Sequence, residues 1–165
     1  ACPEHIILRT AWVFGASGGN FVKTMLRLGA DRQQLTIVSD QWGGPTSACG
    51  IARAIASIVG VVTDRDTRSE NLSHLWGTYN FSGEPHVNWA QFAQAIFSEA
   101  VSMGLVSSEP VIEPIKTEQY PTPAKRPFNS RLSNRKVADV FGVQPDDWRL
   151  SLIDMLADLR EEKGE

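Results

Sequence analysis

The amino-acid sequence predicts a mixed α/β fold with parallel strands, and three observations support that prediction. Short apolar runs alternate along the chain with longer segments whose apolar residues recur at three- and four-residue steps. A serine or an asparagine precedes three of those longer segments, in the position of a helix N-cap. No internal repeat is present. This alternation favours parallel βαβ packing over a β-sandwich or a helical bundle.

The first half of the chain is predicted to form two strand–helix units. Residues 5–10, "HIILRT", are a short buried strand, and a helix runs from Asn20 as its N-cap to Gly29 as its stop. A second strand, "LTIV", covers 35–38. After the loop "SDQWGGPTS", Ser47 is the N-cap of the helix "ACGIARAIASIV".

The second half begins with a polar stretch, residues 63–76, that predicts a surface excursion. The elements predicted after it are a strand at 77–83, an amphipathic helix at 88–103 with Asn88 as its cap, a strand at 111–117, a proline-stiffened loop at 118–133 and helices at 134–141 and 147–161. The apolar stripe of the helix at 88–103 is predicted to be core, without a ligand.

Composition excludes several classes of protein. A chain of 165 residues with 42% hydrophobic and 21% charged residues is typical of one globular domain. The formal charge of −3 and the scattered basic residues give no sign of a nucleic-acid or anionic-membrane surface. Cys2 and Cys49 are too few for a disulfide framework, which suits a reducing compartment. No 18-residue apolar run is present.

The glycine-rich turn at 15–19 follows a strand and precedes a helix, as a dinucleotide-binding loop does. Its glycines nevertheless do not match G-x-G-x-x-G, and five residues separate the turn from Arg9. Asp40 stands near the distance expected of a ribose-binding acid, but an Asp at the end of a strand is common in ordinary turns. The sequence favours a plain turn over a cofactor loop.

Catalytic and metal-binding patterns are not evident in the sequence. A short-chain dehydrogenase needs a Tyr with a Lys four residues later, which lowers the pKa of the phenol. Tyr79 and Tyr120 are followed at that spacing by Gly83 and Ala124. The three histidines are scattered, so no metal site is predicted.

Four motifs resemble consecutive signatures of the dTDP-4-dehydrorhamnose reductases, a family of the extended short-chain dehydrogenase superfamily. They are "ILRTAWVFGASGGNFVKTML", "DQWGGPTSA", "GTYNFSGE" and "YPTPAKRPFNSRL". The resemblance runs from Pro3 to Leu159. It implies the C-terminal, substrate-binding portion of a Rossmann-like fold, with late parallel strands plus a small mixed α/β subdomain, and it treats 1–165 as a single portion. It also implies reduction of the 4-keto group of a dTDP-sugar by NADPH or NADH in the cytoplasm.

By the same resemblance, the match begins after the family's Tyr-x-x-x-Lys helix. The dinucleotide-binding half, which would hold most of the NADPH or NADH, is then absent from this sequence. We therefore expect the chain alone to be inactive. We also expect exposed apolar surface, and with it a homodimer or self-association.

The resemblance assigns roles around the first strand. Thr10 and Ala11 would lie beside the nicotinamide, although many relatives carry Ser in place of Ala11. Trp12 would place an indole face against the deoxysugar, and a core Trp is the alternative. Asn20 and Phe21, at the start of a helix, would face the ligand, or Asn20 would be a simple cap.

Two loops complete the predicted substrate site. In the first, Gln41, Gly44, Pro45 and Thr46 would meet the nucleotide, because glycines let the backbone approach a ligand; a structural turn is the alternative.

In the second loop, Arg126 would offer the diphosphate a planar pair of donors, with Asn129 and Ser130 as neutral donors. Lys125 and Arg131 would be solvated surface charges.

Two other functions share the resemblance. One is a non-catalytic regulatory subunit of the methionine adenosyltransferase type, and the other is a different nucleotide-sugar reductase or epimerase. Selective binding of thymidine nucleotides would separate the first of these from the reductase.

Overall fold

A computed structural model describes residues 2–64, 72–122, 124 and 126–164 of the chain. The strands are β1 (Ile6–Arg9), β2 (Val13–Phe14), β3 (Gln34–Val38), β4 (Trp42–Gly43), β5 (Thr46–Ser47), β6 (Gly77–Asn80), β7 (Val87–Asn88) and β8 (Val111–Ile115). The helices are α1 (Phe21–Asp31), α2 (Ala48–Thr63), α3 (Trp89–Ser102), α4 (Arg135–Phe141) and α5 (Trp148–Gly164), with short 3-10 helices at Leu72–Leu75 and Thr117–Gln119.

The strands pair in twos, and most of the pairs are parallel. β1 pairs with β6, β2 with β5 and β3 with β8, all in parallel register, whereas β4 and β7 are antiparallel. Helices lie in the connections between these parallel partners, since α1 and α2 both fall between β1 and β6 in the chain. The predicted α/β class with parallel strands is confirmed.

Three predicted N-caps are confirmed. The Asn20 side chain accepts a hydrogen bond from the Lys23 backbone N at 3.1 Å, and Ser47 Oγ accepts one from the Gly50 N at 2.8 Å. Asn88 caps α3, and Gln91 Oε1 accepts in return from the Asn88 N at 3.0 Å. Each cap satisfies a donor that the first turn of a helix leaves free.

The predicted stop of α1 is wrong. Gly29 lies inside the helix, which continues to Asp31, and the Arg32 backbone N closes it on the Leu28 carbonyl at 3.0 Å. A Cβ at Gly29 would overlap the Phe97 ring of α3. The glycine is there to let α1 and α3 approach each other, and a C-cap glycine and a helix-packing glycine look alike in sequence.

Two hydrophobic cores hold the elements together. The larger centres on α3, where Phe92, Ala93, Ile96 and Phe97 are all at most 1% exposed, and it extends to α1, β3 and α5. The smaller lies between the β1–β6 pair, α2 and α4 and includes Tyr79. The apolar stripe predicted for α3 is therefore core along most of its length.

Helix α2 is apolar on its outer face as well. Its inner face buries Ala54 and Ile58, whereas Ile55 and Val59 are 47% and 51% exposed. Ile7 of β1 is similarly exposed, at 49%.

Within the described residues, no helix has both the length and the apolar composition to cross a membrane.

The surface excursion predicted at 63–76 is described only at its ends. Residues 65–71 lie outside the described residues, as do Pro123 and Lys125 of the predicted proline loop. The rest of that loop has no α-helix, as its prolines predict, and the short 3-10 helix Thr117–Gln119 ends before Pro121.

Candidate functional site

A cleft of about 920 Å³ opens between α1, β3, the first turn of α3 and the segment 117–128. Four of the predicted site residues line it: Trp12, Phe21, Gln41 and Arg126. They come from four separate stretches of the chain, and the fold brings them to one cavity. Concave, largely apolar cavities with a few polar groups are the usual form of a small-molecule site.

Trp12 is held in an unusual conformation at the cleft wall. Its backbone has φ +52°, a left-handed conformation that costs a non-glycine residue free energy. The indole stacks on that of Trp89, with ring centroids 3.5 Å apart and planes 9° from parallel. Its Nε1 donates to Ser130 Oγ at 3.0 Å, and that hydroxyl donates to the Trp42 carbonyl at 3.0 Å.

The stacking limits which face of the Trp12 indole a ligand can reach. One face of the Trp12 indole is covered by Trp89, so it is closed to a sugar. Phe21 packs on Trp89 in turn, with centroids 4.6 Å apart. The aromatic wall of the cleft is therefore a cluster of three rings, with Trp12 stacked on Trp89 and Phe21 tilted against Trp89, and not a single exposed indole.

Gln41 sits at the base of the cleft in a chain of hydrogen bonds. Trp89 Nε1 donates to Gln41 Oε1 at 3.2 Å, and Gln41 Nε2 donates to Thr117 Oγ1 at 3.1 Å. Thr117 Oγ1 donates to Asp40 Oδ1 at 2.6 Å, and the Thr117 backbone N donates to the same carboxylate. The network ties the end of β3 to α3 and to the segment 117–128.

Asp40 is held in its ionised form by these contacts. Partial burial acts to raise the pKa of the Asp40 carboxyl, but the two Thr117 donors and the charge of Lys116 outweigh it, and the pKa lies below its usual value. A short hydrogen bond to an ionised carboxylate is a strong one.

Three charged side chains line the cleft. Arg126 is exposed, and in the described part of the chain its guanidinium forms no ion pair or hydrogen bond. Arg32 and Glu118 also line the cavity. Its two arginines give the cleft cationic groups next to an aromatic wall, an arrangement that can bind a phosphate beside a flat ring.

Comparison with known proteins identifies the family. The model of the RmlD substrate binding domain matches residues 1–161. This chain belongs to that family. A dTDP-4-dehydrorhamnose reductase of Aggregatibacter actinomycetemcomitans is 46% identical over 150 residues, which are 91% of this chain and 49% of the relative. The enzyme of the same name from Escherichia coli is 35% identical over 158 residues, 96% of this chain and 50% of the relative.

Solved structures agree with the sequence comparison. A dTDP-4-dehydrorhamnose reductase of Clostridium acetobutylicum superposes with a TM-score of 0.79 at 32% identity, covering 96% of this chain and 50% of that one. The Bacillus anthracis reductase, in complex with NADP, gives 0.75 at 30% identity, covering 93% and 48%. This chain spans about half the length of the relatives it matches.

The glycines of the loop 41–46 allow close packing within the protein. A Cβ at Gly44 would overlap the Gly83 carbonyl oxygen, and one at Gly83 would overlap the Pro45 carbonyl oxygen. Thr46 Oγ1 donates to the Gly44 carbonyl at 2.9 Å and accepts from the Gly83 N at 3.2 Å. The close backbone approach at Gly44 is therefore to a neighbouring loop of the protein.

Three polar residues predicted for the substrate are engaged within the protein. Both ends of the Asn20 amide are used, since Nδ2 donates to the Gly15 carbonyl at 2.7 Å and Oδ1 caps α1. Ser130 holds the Trp12 indole. Asn129 lines a second pocket, of about 620 Å³, and its Oδ1 accepts from Arg131 Nε at 2.9 Å.

Thr10 and Ala11, the two residues predicted beside the nicotinamide, directly follow the carboxyl end of β1. Thr10 is exposed and Ala11 half-buried, and both lie outside the cleft. This is the edge at which parallel sheets of α/β proteins place their ligands.

The tyrosines differ in accessibility. Tyr79 is 1% exposed and its hydroxyl donates to the Leu75 carbonyl at 2.8 Å, and burial raises the pKa of that phenol. Tyr120 is 54% exposed and lines the cleft.

Among the described residues, no group of three His, Cys, Asp or Glu side chains is placed to hold a metal ion.

Sequence reasoning missed several residues of the cleft. Trp89 and Phe92 belong to the apolar stripe that was predicted to have no ligand, yet both line the cavity. Thr117, Tyr120 and Phe128 also line it. Tyr120 and Phe128 lie in the predicted proline-stiffened loop that carries Arg126, which was their signal, whereas Thr117 was predicted as the end of the preceding strand.

Proposed function

We propose that this chain is the C-terminal, substrate-binding portion of a dTDP-4-dehydrorhamnose reductase and that its cleft binds the dTDP-sugar. The observation that carries the proposal is the meeting of Trp12, Gln41 and Arg126 at one cavity. The names of the family's relatives support the same ligand.

The chemistry of the cleft fits the parts of such a ligand. A diphosphate takes the planar guanidinium of Arg126, which donates two parallel hydrogen bonds. The clustered rings of Trp12, Trp89 and Phe21 give an apolar wall for the thymine and the deoxysugar. Gln41, 6% exposed, adds a directional polar group at the base of that wall.

NADPH or NADH would supply the hydride for the 4-keto group. The residues of this chain fit only the nicotinamide end of that cofactor. Thr10 and Ala11 follow the carboxyl end of β1, where a nicotinamide can rest. The turn at 15–19 does not fit a pyrophosphate. Gly15 lies close to the Ala48 side chain, and the Asn20 side chain is already used as the cap of α1. The remaining cofactor contacts belong to the dinucleotide-binding half of the complete reductase.

We propose further that the 165-residue chain alone binds ligand without turnover. Reduction of a ketone needs a proton donor with a lowered pKa. Tyr79 is buried in the core, and the position four residues after Tyr120, where the motif requires Lys, is Ala124. An assay with NADPH and the dTDP-4-keto sugar should show no NADPH oxidation by this chain.

Calorimetric titration with dTDP tests the binding proposal. The unmodified chain should bind dTDP and discriminate against UDP, and Arg126→Ala should weaken binding about tenfold or more, since charged hydrogen bonds are lost. Arg160→Ala is the matched control, because that arginine is exposed on α5, outside the cleft. Equal losses in the two variants, or equal affinity for dTDP and UDP, would contradict the proposal.

A further inference from the structure

The hydrogen-bond chain at the base of the cleft has a direction. Thr117 has one hydroxyl proton, and it goes to Asp40 Oδ1 at 2.6 Å. The hydroxyl oxygen can then only accept, so the group that Gln41 presents to it must be the NH2. The Gln41 oxygen is left facing Trp89 Nε1, which can only donate.

We propose that Asp40 is a positioning residue of the substrate cleft: acting through Thr117, it fixes the direction of the Gln41 amide. The Gln41 NH2 then lies toward Thr117 and the oxygen toward Trp89. Asp40 itself does not line the cleft. This inference rests on the proposed function, because it assigns a purpose to the orientation of a residue in the proposed substrate site.

The orientation determines what the ligand meets. Gln41 Nε2 carries two protons, and within the described residues one of them is used, for Thr117. The second is available as a donor at the base of the cleft. It fits an acceptor oxygen on the dTDP part of the ligand.

Replacing Asp40 by Asn is the informative change. An Asn side chain keeps the shape but can donate its own N–H to Thr117 Oγ1, which releases the threonine proton toward Gln41. The Gln41 oxygen is then sought by two donors, Thr117 Oγ1 on one side and Trp89 Nε1 on the other, so the amide is no longer held in one direction. Thr117→Val removes the link altogether, and Thr117→Ser retains it.

Nuclear magnetic resonance can detect the orientation of the Gln41 amide in the absence of a ligand. In a ¹⁵N–¹H spectrum of the full chain the five tryptophans give separate indole signals, and Trp89→Phe assigns that of Trp89. The Trp89 signal should move in Asp40→Asn and in Thr117→Val and stay in Thr117→Ser. The Trp148 indole, which donates to the Pro85 carbonyl at 2.7 Å, should stay in all three and reports general damage.

Titration with dTDP completes the test. Affinity should fall about threefold to tenfold in Asp40→Asn and Thr117→Val and be retained in Thr117→Ser, as expected for one misdirected hydrogen bond. An unmoved Trp89 signal, a Thr117→Ser variant that behaves like Thr117→Val, or a moved signal with unchanged dTDP affinity would overturn the inference. If the unmodified chain does not bind dTDP, the proposed function fails, and the Trp89 signal alone decides the orientation.

Discussion

Two glycine-rich turns occur in this chain, at residues 15–19 and at residues 41–46, and glycine serves a different purpose in each. In the first, a Cβ at Gly18 or Gly19 would meet no atom within 4 Å, and Gly18 has φ +71°. In the second, a Cβ at Gly43 would lie 2.5 Å from Trp12 Cε2, and one at Gly44 would overlap a carbonyl oxygen. In the first turn Gly18 is needed for its backbone conformation, and in the second turn Gly43 and Gly44 are needed for space.

The difference explains why the first turn is a poor guide to the site. It looks more like a ligand-binding loop, since it stands between a strand and a helix. The second turn is the one that shapes the cleft, because its glycines let the Trp12 indole and the Gly83 loop lie against the backbone. Substitutions in the two turns should therefore have very different effects.

The largest effect is expected for Gly44→Ala. The added methyl meets the Gly83 carbonyl, a backbone atom that cannot rotate away, and separating the loops also breaks the hydrogen bond from the Gly83 N to Thr46. The free energy of unfolding should fall by about 3 kcal/mol, measured by urea denaturation. Gly60→Ala on the exposed side of α2 is the control and should be neutral or stabilising. Equal stability of the two variants would show that the loops are not in close contact.

Gly43→Ala should cost less stability and change the cleft more. A methyl there pushes the Trp12 indole, a side chain that can move, away from Ser130. We expect a loss of about 2 kcal/mol in the free energy of unfolding, with a changed near-ultraviolet circular dichroism signal from the Trp12–Trp89 stack. A variant that loses stability but keeps the native dichroism would contradict this packing of Trp12.

The sequence carried enough information for the secondary structure and for part of the cleft. Caps are local, since Asn20, Ser47 and Asn88 each bond to a backbone N three residues on. Arg126 and Trp12 were predicted from a resemblance of motifs, and the fold places both on one cavity.

What the sequence could not reveal depends on contacts between distant segments. Gly29 looked like a helix stop because only the fold brings Phe97 against it. Trp89 looked like core because helical periodicity gives the face of a helix and not the cavity beside its first turn. The direction of the Gln41 amide depends on Thr117, 76 residues away in the chain.

Asp40 anchors the second turn where it leaves β3, and its contribution to stability should depend on pH. Because the folded-state pKa of Asp40 is lowered, its contribution is present above the unfolded-state pKa and is lost as the pH falls toward the folded-state pKa. Asp40→Asn should cost about 1–2 kcal/mol at pH 7, and the difference from the unmodified chain should shrink below about pH 4. Urea midpoints measured across that range check this, and a difference independent of pH would exclude the charge as its cause.

The smallest effect is expected in the first turn, at Gly19. Its backbone does not have a positive φ, and its missing side chain would face open space, so alanine fits without strain. Gly19→Ala restricts the unfolded chain and should leave the free energy of unfolding unchanged or raise it by about 0.5 kcal/mol. Gly18→Ala has the same free space but φ +71°, and should cost about 1 kcal/mol. If both changes proved as costly as Gly44→Ala, Gly18 and Gly19 would also be packed against a neighbour, and the contrast with Gly43 and Gly44 would not hold.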